Sequence, residues 1–242
     1  MSNEWILILT LVLEFAGVVL CYRLFGRVGL YLWTVMATIT ANIEVLLLVR
    51  AFGMEMTLGN VLFASTFLVT DILSELYSKK AARRAVSLGI ATSVIFVLIS
   101  WSWLYYTPAA DDFAAPAIRQ IFSHTPRLMI SSIAVYVVVQ YFDVWLYHKW
   151  WALTERRSRS RRGFLWLRNN GSTLVSQLLN SVLYPLAAFY GVYSMSTLLS
   201  IMLSSYVIFI VTSLADTPFL YLSRYLRERR RGVSLTAGPG RE

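Results

Sequence analysis

Residues 63–86 read Phe63-Ala-Ser-Thr-Phe-Leu-Val-Thr-Asp-Ile-Leu-Ser-Glu-Leu-Tyr-Ser-Lys-Lys-Ala-Ala-Arg-Arg-Ala-Val86, an apolar helical run that carries Asp71 and Glu75 and then breaks into Lys79, Lys80, Arg83 and Arg84. A carboxylate is costly in such a run: at the centre of a bilayer-embedded helix, an Asp costs about 2.5–3.5 kcal/mol on insertion scales. Two of them one turn apart signal use. Asp71 and Glu75 are spaced i, i+4, so they share a face, with Phe67 a turn above. Like charges on one face gain nothing structural unless a cation, a ligand or a proton neutralises them.

The composition of the whole chain places this run in a membrane. Hydrophobic residues make up 57% and charged residues 14%, the mean hydropathy is +0.59, and nearly every gap between charges reaches the roughly 20 residues a spanning helix needs. The fold class that follows is all-α, a polytopic helical bundle of six to seven spans. It forms one membrane domain over 1–231, followed by a short, polar, disordered tail at 232–242. Helices are favoured over a membrane barrel because the runs are continuously apolar, and open backbone in lipid would leave its polar groups unsatisfied. Cys21 is the single cysteine, which excludes an intrachain disulfide framework, and the two histidines, His124 and His148, offer no metal-ligand spacing. Neither a metal nor a cofactor is expected. The N-terminal run lacks a basic leader and a small-residue cleavage site, and Glu14 interrupts it, so it reads as a retained first span.

Seven candidate spans lie at about 4–23, 28–49, 58–77, 85–106, 127–147, 172–190 and 197–222. With the N-terminus outside and the C-terminus cytoplasmic, the successive inner segments collect two, four, seven and six basic residues, 19 of the 22 in the chain, leaving Arg50, Arg119 and Arg127 outside. That is the positive-inside distribution. It also accounts for the net charge of +9: the charge tracks loop sidedness and contact with anionic lipid heads, so no nucleic-acid partner is expected. Trp101, Trp103, Tyr105 and Tyr106 at the outer end of span four read as an interface belt.

Polar residues inside spans are where function is to be sought. Tyr136, Gln140 and Asp143 fall at i, i+4 and i+7 on span five, and Thr173, Gln177, Asn180 and Tyr184 at i, i+4, i+7 and i+11 on span six. With Phe67, Asp71 and Glu75 they make three polar stripes, which predicts one shared internal site. Glu14, Glu44 and Asp216 are further acids in spans one, two and seven and candidate proton-relay groups. Each has a plainer reading. Intramembrane Gln and Asn often only bond neighbouring helices, worth about 0.6 kcal/mol on average. Glu14 and Glu44 can be structural or held protonated, and Asp143 can pair with a loop arginine. In Gly163-Phe-Leu-Trp-Leu-Arg-Asn-Asn-Gly-Ser-Thr173, Asn170 or Ser172 can cap the sixth span, while Arg168 and Asn169 can face the cytoplasmic mouth of the polar site.

Three segments then resemble a known family: 63–86, the run 131–144 ending Gln140-Tyr-Phe-Asp-Val144, and 165–190 with Trp166-Leu-Arg-Asn-Asn-Gly-Ser-Thr-Leu-Val-Ser-Gln-Leu-Leu179, joined by Asp216-Thr-Pro-Phe219. Together, over about 58–222, they are similar to the queuosine precursor transporter family, also called the vitamin uptake transporter family. The resemblance implies a multi-pass protein of the bacterial inner (plasma) membrane that takes up deazaguanine bases, the cyano and aminomethyl precursors of queuosine, for tRNA modification. A guanine-like edge offers N–H donors that a carboxylate accepts in a bidentate way, Gln and Asn satisfy its carbonyl and ring nitrogen, and an aminomethyl group adds a cation for a second acid. Phe67, Tyr136 or Tyr184 can stack on the ring. The chain departs from the family pattern at Ser74 and Ser78, which stand for an Asn and a Gly, and at Asn180 and Phe209, which stand where an Asp and a Lys are expected. Losing an acid and a base together suggests a buried pair replaced as a unit.

Three classes of function follow: a solute transporter, a substrate-binding subunit of a multi-component importer, and an intramembrane enzyme. The first fits the clustered polar residues and is the reading adopted. The second arises because no phosphate-cradling Gly-Lys-Ser/Thr loop is present to use ATP. The third lacks a Ser/His pair on its spans, and a rhodopsin-like sensor lacks a lysine within a span. A nucleobase-like small molecule and the lipid bilayer are the expected partners, with a membrane homodimer as the assembly. Residues 63–86 become the inner wall and cytoplasmic exit of a base-binding cavity, with Asp71 for ligand contact and Glu75 at its gate.

Overall fold

The computed structural model describes residues 2–123, 126–158 and 164–236. Eight α-helices and one hairpin follow in the order α1 Asn3–Phe25, α2 Arg27–Glu44, β1 Leu48–Ala51, β2 Met54–Thr57, α3 Gly59–Leu76, α4 Lys79–Ser102, α5 Ala115–Ser123, α6 Pro126–Ser158, α7 Leu165–Phe189 and α8 Met195–Thr236. The all-α membrane bundle is thus what forms. Seven of these helices have 18 residues or more and correspond one to one with the expected spans. Five helical segments, Asn3–Phe25, Gly59–Leu76, Lys79–Tyr105, Ile130–Glu155 and Met195–Arg229, are long and apolar enough to cross a membrane by themselves. The remaining two, α2 and α7, are long enough but more polar.

The helices outrun the apolar stretches, which corrects several boundaries. Lys79, Lys80, Arg83 and Arg84 are not a loop: they form the first turns of α4, and the break is a tight corner at Tyr77 and Ser78. Ser78 is extended and its hydroxyl accepts the Ala81 amide at 3.2 Å, an N-cap that lets the new helix start at once. The sixth span begins at Leu165 rather than 172, with Phe164 as its N-cap residue, so Asn170 and Ser172 lie inside the helix and do not cap it. Their side chains bond back to Trp166 O and Arg168 O. Helix α8 continues to Thr236.

The second span ends at Glu44. Residues 48–57 instead form an antiparallel hairpin, with Leu48 opposite Thr57 and Ala51 opposite Met54. Its turn residues Phe52 and Gly53 have φ of 52° and 72°, the paired positive values that a two-residue hairpin turn demands and that glycine supplies without strain. The hairpin is pinned to α1: Asn3 donates to Arg50 O at 2.9 Å, and Glu4 accepts the Phe52 amide at 3.0 Å. Ala51 and Met56 are buried against Leu7, Val61 and Ile208.

Helix α3, which carries the opening stretch, is the hub. In its apolar window 83% of residues are buried, against 28% for α1, and it packs on α1, α2, α4, α6 and α8. The helices alternate in direction. Arg127 at the start of α6 donates to Ala187 O and Tyr190 O at the end of α7, while Glu75 at the end of α3 meets Arg168 at the start of α7 and Arg224 low on α8. One end of the bundle therefore holds the hairpin and the other the basic residues of α4, α6 and α8.

Candidate functional site

Three stripes that are far apart in the chain converge between α3, α6, α7 and α8. Gln140 Nε2 donates to Thr66 Oγ1 at 2.6 Å, Thr173 Oγ1 to Asp71 Oδ2 at 3.3 Å, and Asn180 Nδ2 to Gln177 Oε1 at 3.3 Å. Asp71, Gln140, Asp143 and Gln177 are all buried. Asp143 and Asp216 lie within electrostatic reach of Asp71, and the Ser172 and Ser176 hydroxyls lie beside Asp143. The protein leaves much of this polarity unengaged: Asp71 Oδ1, Gln140 Oε1, both Asp143 oxygens, Ser176 Oγ and Gln177 Nε2 are buried with no hydrogen-bond partner among the described residues. Native interiors satisfy nearly all such groups, and each unmet one costs about 1–3 kcal/mol. These unmet groups lie where the three stripes meet. Among the described residues no group of three or more His, Cys, Asp or Glu is placed to hold a metal ion.

Towards the basic end the acids change character. Arg168 Nη2 lies 3.0 and 2.8 Å from the two Glu75 oxygens, Tyr147 OH donates to Oε2 at 3.0 Å, and Arg224 Nη1 stands 3.7 Å from Oε1. Arg168 is 1% exposed, and its guanidinium lies 4.6 Å over the Trp151 ring. Glu75 is therefore neutralised by protein cations, whereas Asp71 and Asp143 keep oxygens without a hydrogen-bond partner among the described residues. Among the described residues no arginine pairs with Asp143, and Arg159, Arg161 and Arg162 lie outside them. Asn169 donates to Asp216 Oδ1 at 2.7 Å and Asn170 to Thr217 Oγ1 at 2.9 Å, a polar zipper between α7 and α8. Asp216 thus joins the cluster. Glu14 does not: the acid near it is Glu44 on α2.

Towards the hairpin end the cluster is roofed by aromatic rings. Phe63 meets Phe67 at 5.3 Å and Tyr136 at 5.9 Å, both edge to face, and Phe209 at 6.4 Å. Above them lies a chamber of ≈ 40 Å³ lined by Phe63, Tyr136, Asn180 and Tyr184 among others. Beyond it a vestibule of ≈ 410 Å³ opens beside the hairpin.

The profile of the family described as "Putative vitamin uptake transporter" matches residues 57–223. The chain belongs to this family. The matched stretch holds every residue of the cluster, from Thr66 to Thr217. Among curated proteins, the chain is 35% identical to a "Probable queuosine precursor transporter" of Bacillus subtilis (strain 168), over 93% of this chain and 96% of that protein. No solved structure matches the chain. This vitamin uptake transporter family member is a multi-pass membrane protein with a small-molecule cargo.

Tyr147, Trp151 and Arg224, which surround Glu75 and Arg168, lie outside the three stripes named from the sequence. Tyr147 had a signal: it extends the α6 stripe to Tyr136, Gln140, Asp143 and Tyr147, the i, i+4, i+7, i+11 spacing already noted on α7. Arg224 had none, being one of several basic residues after the last apolar run.

Proposed function

We propose that this transporter imports queuosine precursors, deazaguanine bases in their cyano and aminomethyl forms, across the bacterial inner membrane for tRNA modification. The hairpin end is placed outside and the basic end in the cytoplasm, as the positive-inside distribution requires. The observation that carries the substrate is the set of unengaged buried groups. Asp71 Oδ1 and the Asp143 carboxyl accept, Gln177 Nε2 donates, and Gln140 Oε1 accepts, which complements a guanine-like edge with ring N–H, exocyclic NH2 and carbonyl. Phe67 and Tyr136 supply aromatic rings over the cluster, and the relative from Bacillus subtilis is named a probable queuosine precursor transporter. Glu75 and Arg168 act as the inner seal, and Asp216 is the acid positioned to exchange a proton with the ligand site, with Glu14 and Glu44 set apart from it.

The test is uptake of radiolabelled cyano and aminomethyl deazaguanine by cells that cannot synthesise them, with and without this chain. Expression should restore accumulation of the base and its incorporation into tRNA, and Asp71→Asn should remove both. Equal accumulation with and without the chain would refute the substrate assignment.

A further inference from the structure

We infer that the vestibule is a second, outer binding site, which captures a planar neutral base before the central cluster receives it. This rests on the function proposed above and adds a place, an order and a preference to it.

The volumes set the order. Ligand sites typically enclose about 300–1,000 Å³, and the vestibule, at ≈ 410 Å³, falls in that range. The chamber beneath it, at ≈ 40 Å³, has room for water-sized molecules only. In this conformation a bicyclic base fits the outer cavity and not the inner one. Two residues line both cavities, Asn60 on α3 and Tyr184 on α7, so they form the partition that a descending solute passes.

The walls set the chemistry. Tyr184, Phe189 and Tyr193 form a run of rings with centroids 6.0 and 5.4 Å apart, suited to stacking a flat heteroaromatic. The Tyr184 hydroxyl is buried without a hydrogen-bond partner among the described residues, and the Asn60 side chain joins it in the lining that both cavities share, so the passage itself offers polar contacts. Among the described residues, Arg50, on β1, is the one charged residue in the lining. A cationic arm is disfavoured beside a guanidinium, so the vestibule favours the neutral cyano base over the aminomethyl base. The central cluster, lined by acids, has the opposite preference.

The experiment uses the full chain in proteoliposomes with Cys21→Ser and Ser204→Cys, Ser204 being in the vestibule wall. Labelling of the new thiol by a membrane-impermeant maleimide is followed with each base present. Because a pocket buries about 70–90% of its ligand's surface, saturating cyano base should slow labelling about three- to tenfold. The slowing should persist when Asp71→Asn is added. The aminomethyl base should need about two- to fivefold more for the same protection, and Arg50→Gln should abolish that difference. Tyr184→Ala should remove the protection while the protein still elutes as a folded species. Uptake by the same liposomes without any protection overturns the outer site and leaves the transport assignment standing. Protection without uptake does the reverse. Protection that vanishes with Asp71→Asn places the base only in the central cluster and also overturns the proposal.

Discussion

Arg168 on α7 and Glu75 on α3 stand 93 positions apart in the chain, yet the guanidinium meets both carboxylate oxygens, at 3.0 and 2.8 Å, inside the bundle. Arg168 is almost fully enclosed, with Trp151 against its face. Removing one member of a buried pair leaves the other charge uncompensated, at a cost of about 3–5 kcal/mol, whereas replacing both by apolar residues is often neutral. Arg168→Ala should therefore lower thermal stability in detergent sharply, and Arg168→Met with Glu75→Leu should recover most of it. A double variant as unstable as the single one would show that Arg168 acts through something other than Glu75.

Asp71 should behave in the opposite way. Among the described residues its one hydrogen bond is the 3.3 Å contact from Thr173, and Oδ1 is unengaged, so Asp71→Asn should leave the unfolding temperature close to that of the parent. Hydrogen bonds to a charged group are worth about 1.5–3 kcal/mol, which corresponds to about ten- to 150-fold in apparent affinity for the base. Uptake kinetics together with thermal melts check this. Unchanged KM in Asp71→Asn would remove Asp71 from ligand contact.

Gly89 on α4 holds the seat of Tyr136. A Cβ there would collide with the Tyr136 hydroxyl and lie 3.0 Å from its ring carbon Cζ and 3.1 Å from Thr38 Cγ2. Overpacking of this kind costs about 1–3 kcal/mol. Gly89→Ala should destabilise the protein and impair uptake, and adding Tyr136→Phe, which removes the colliding oxygen, should restore the stability. Failure of that rescue would mean that the ring rather than the hydroxyl is what resists.

Asn180 and Phe209 offer a double-mutant cycle. Phe209 is 1% exposed and packs on Phe63, and Asn180 donates to Gln177 close to the same chamber. Phe209→Lys or Asn180→Asp alone places an unpaired charge inside the bundle and should destabilise by several kcal/mol on the scale of about 3–5 for an uncompensated buried ion. The double variant should be more stable than the sum of the two predicts. Strict additivity, or harmless single changes, would sink the idea that the two positions exchange as a pair.

Much of this arrangement is legible in the amino-acid order alone. Apolar run length and the sign of the segments between runs identify seven helices and the basic end, because the bilayer constrains every span to the same length and sorts basic residues to one side. The stripes on α3, α6 and α7 follow from the 3.6-residue period, which says which residues share a face. Period and length do not say where a helix stops once it leaves the apolar layer. The four basic residues after Ser78 therefore read as a loop although they continue as helix, and the hairpin at 48–57 reads as the end of a span because Leu46, Leu47, Leu48 and Val49 are apolar in either conformation.

What the order of residues determined by itself is the membrane bundle, its polarity from end to end, and the list of buried polar side chains. What the tertiary structure decided is who meets whom. Asp71 and Glu75 look alike in sequence, two acids one turn apart. Packing gives Glu75 to Arg168, Tyr147 and Arg224 and leaves Asp71 near Asp143, with one oxygen that accepts from no partner among the described residues. The reason is geometric: a turn of helix separates the two carboxyls by only about 6 Å along the axis, enough to put one at the level where α7 begins with an arginine and the other a turn deeper, where α6 and α7 present only neutral donors and another acid.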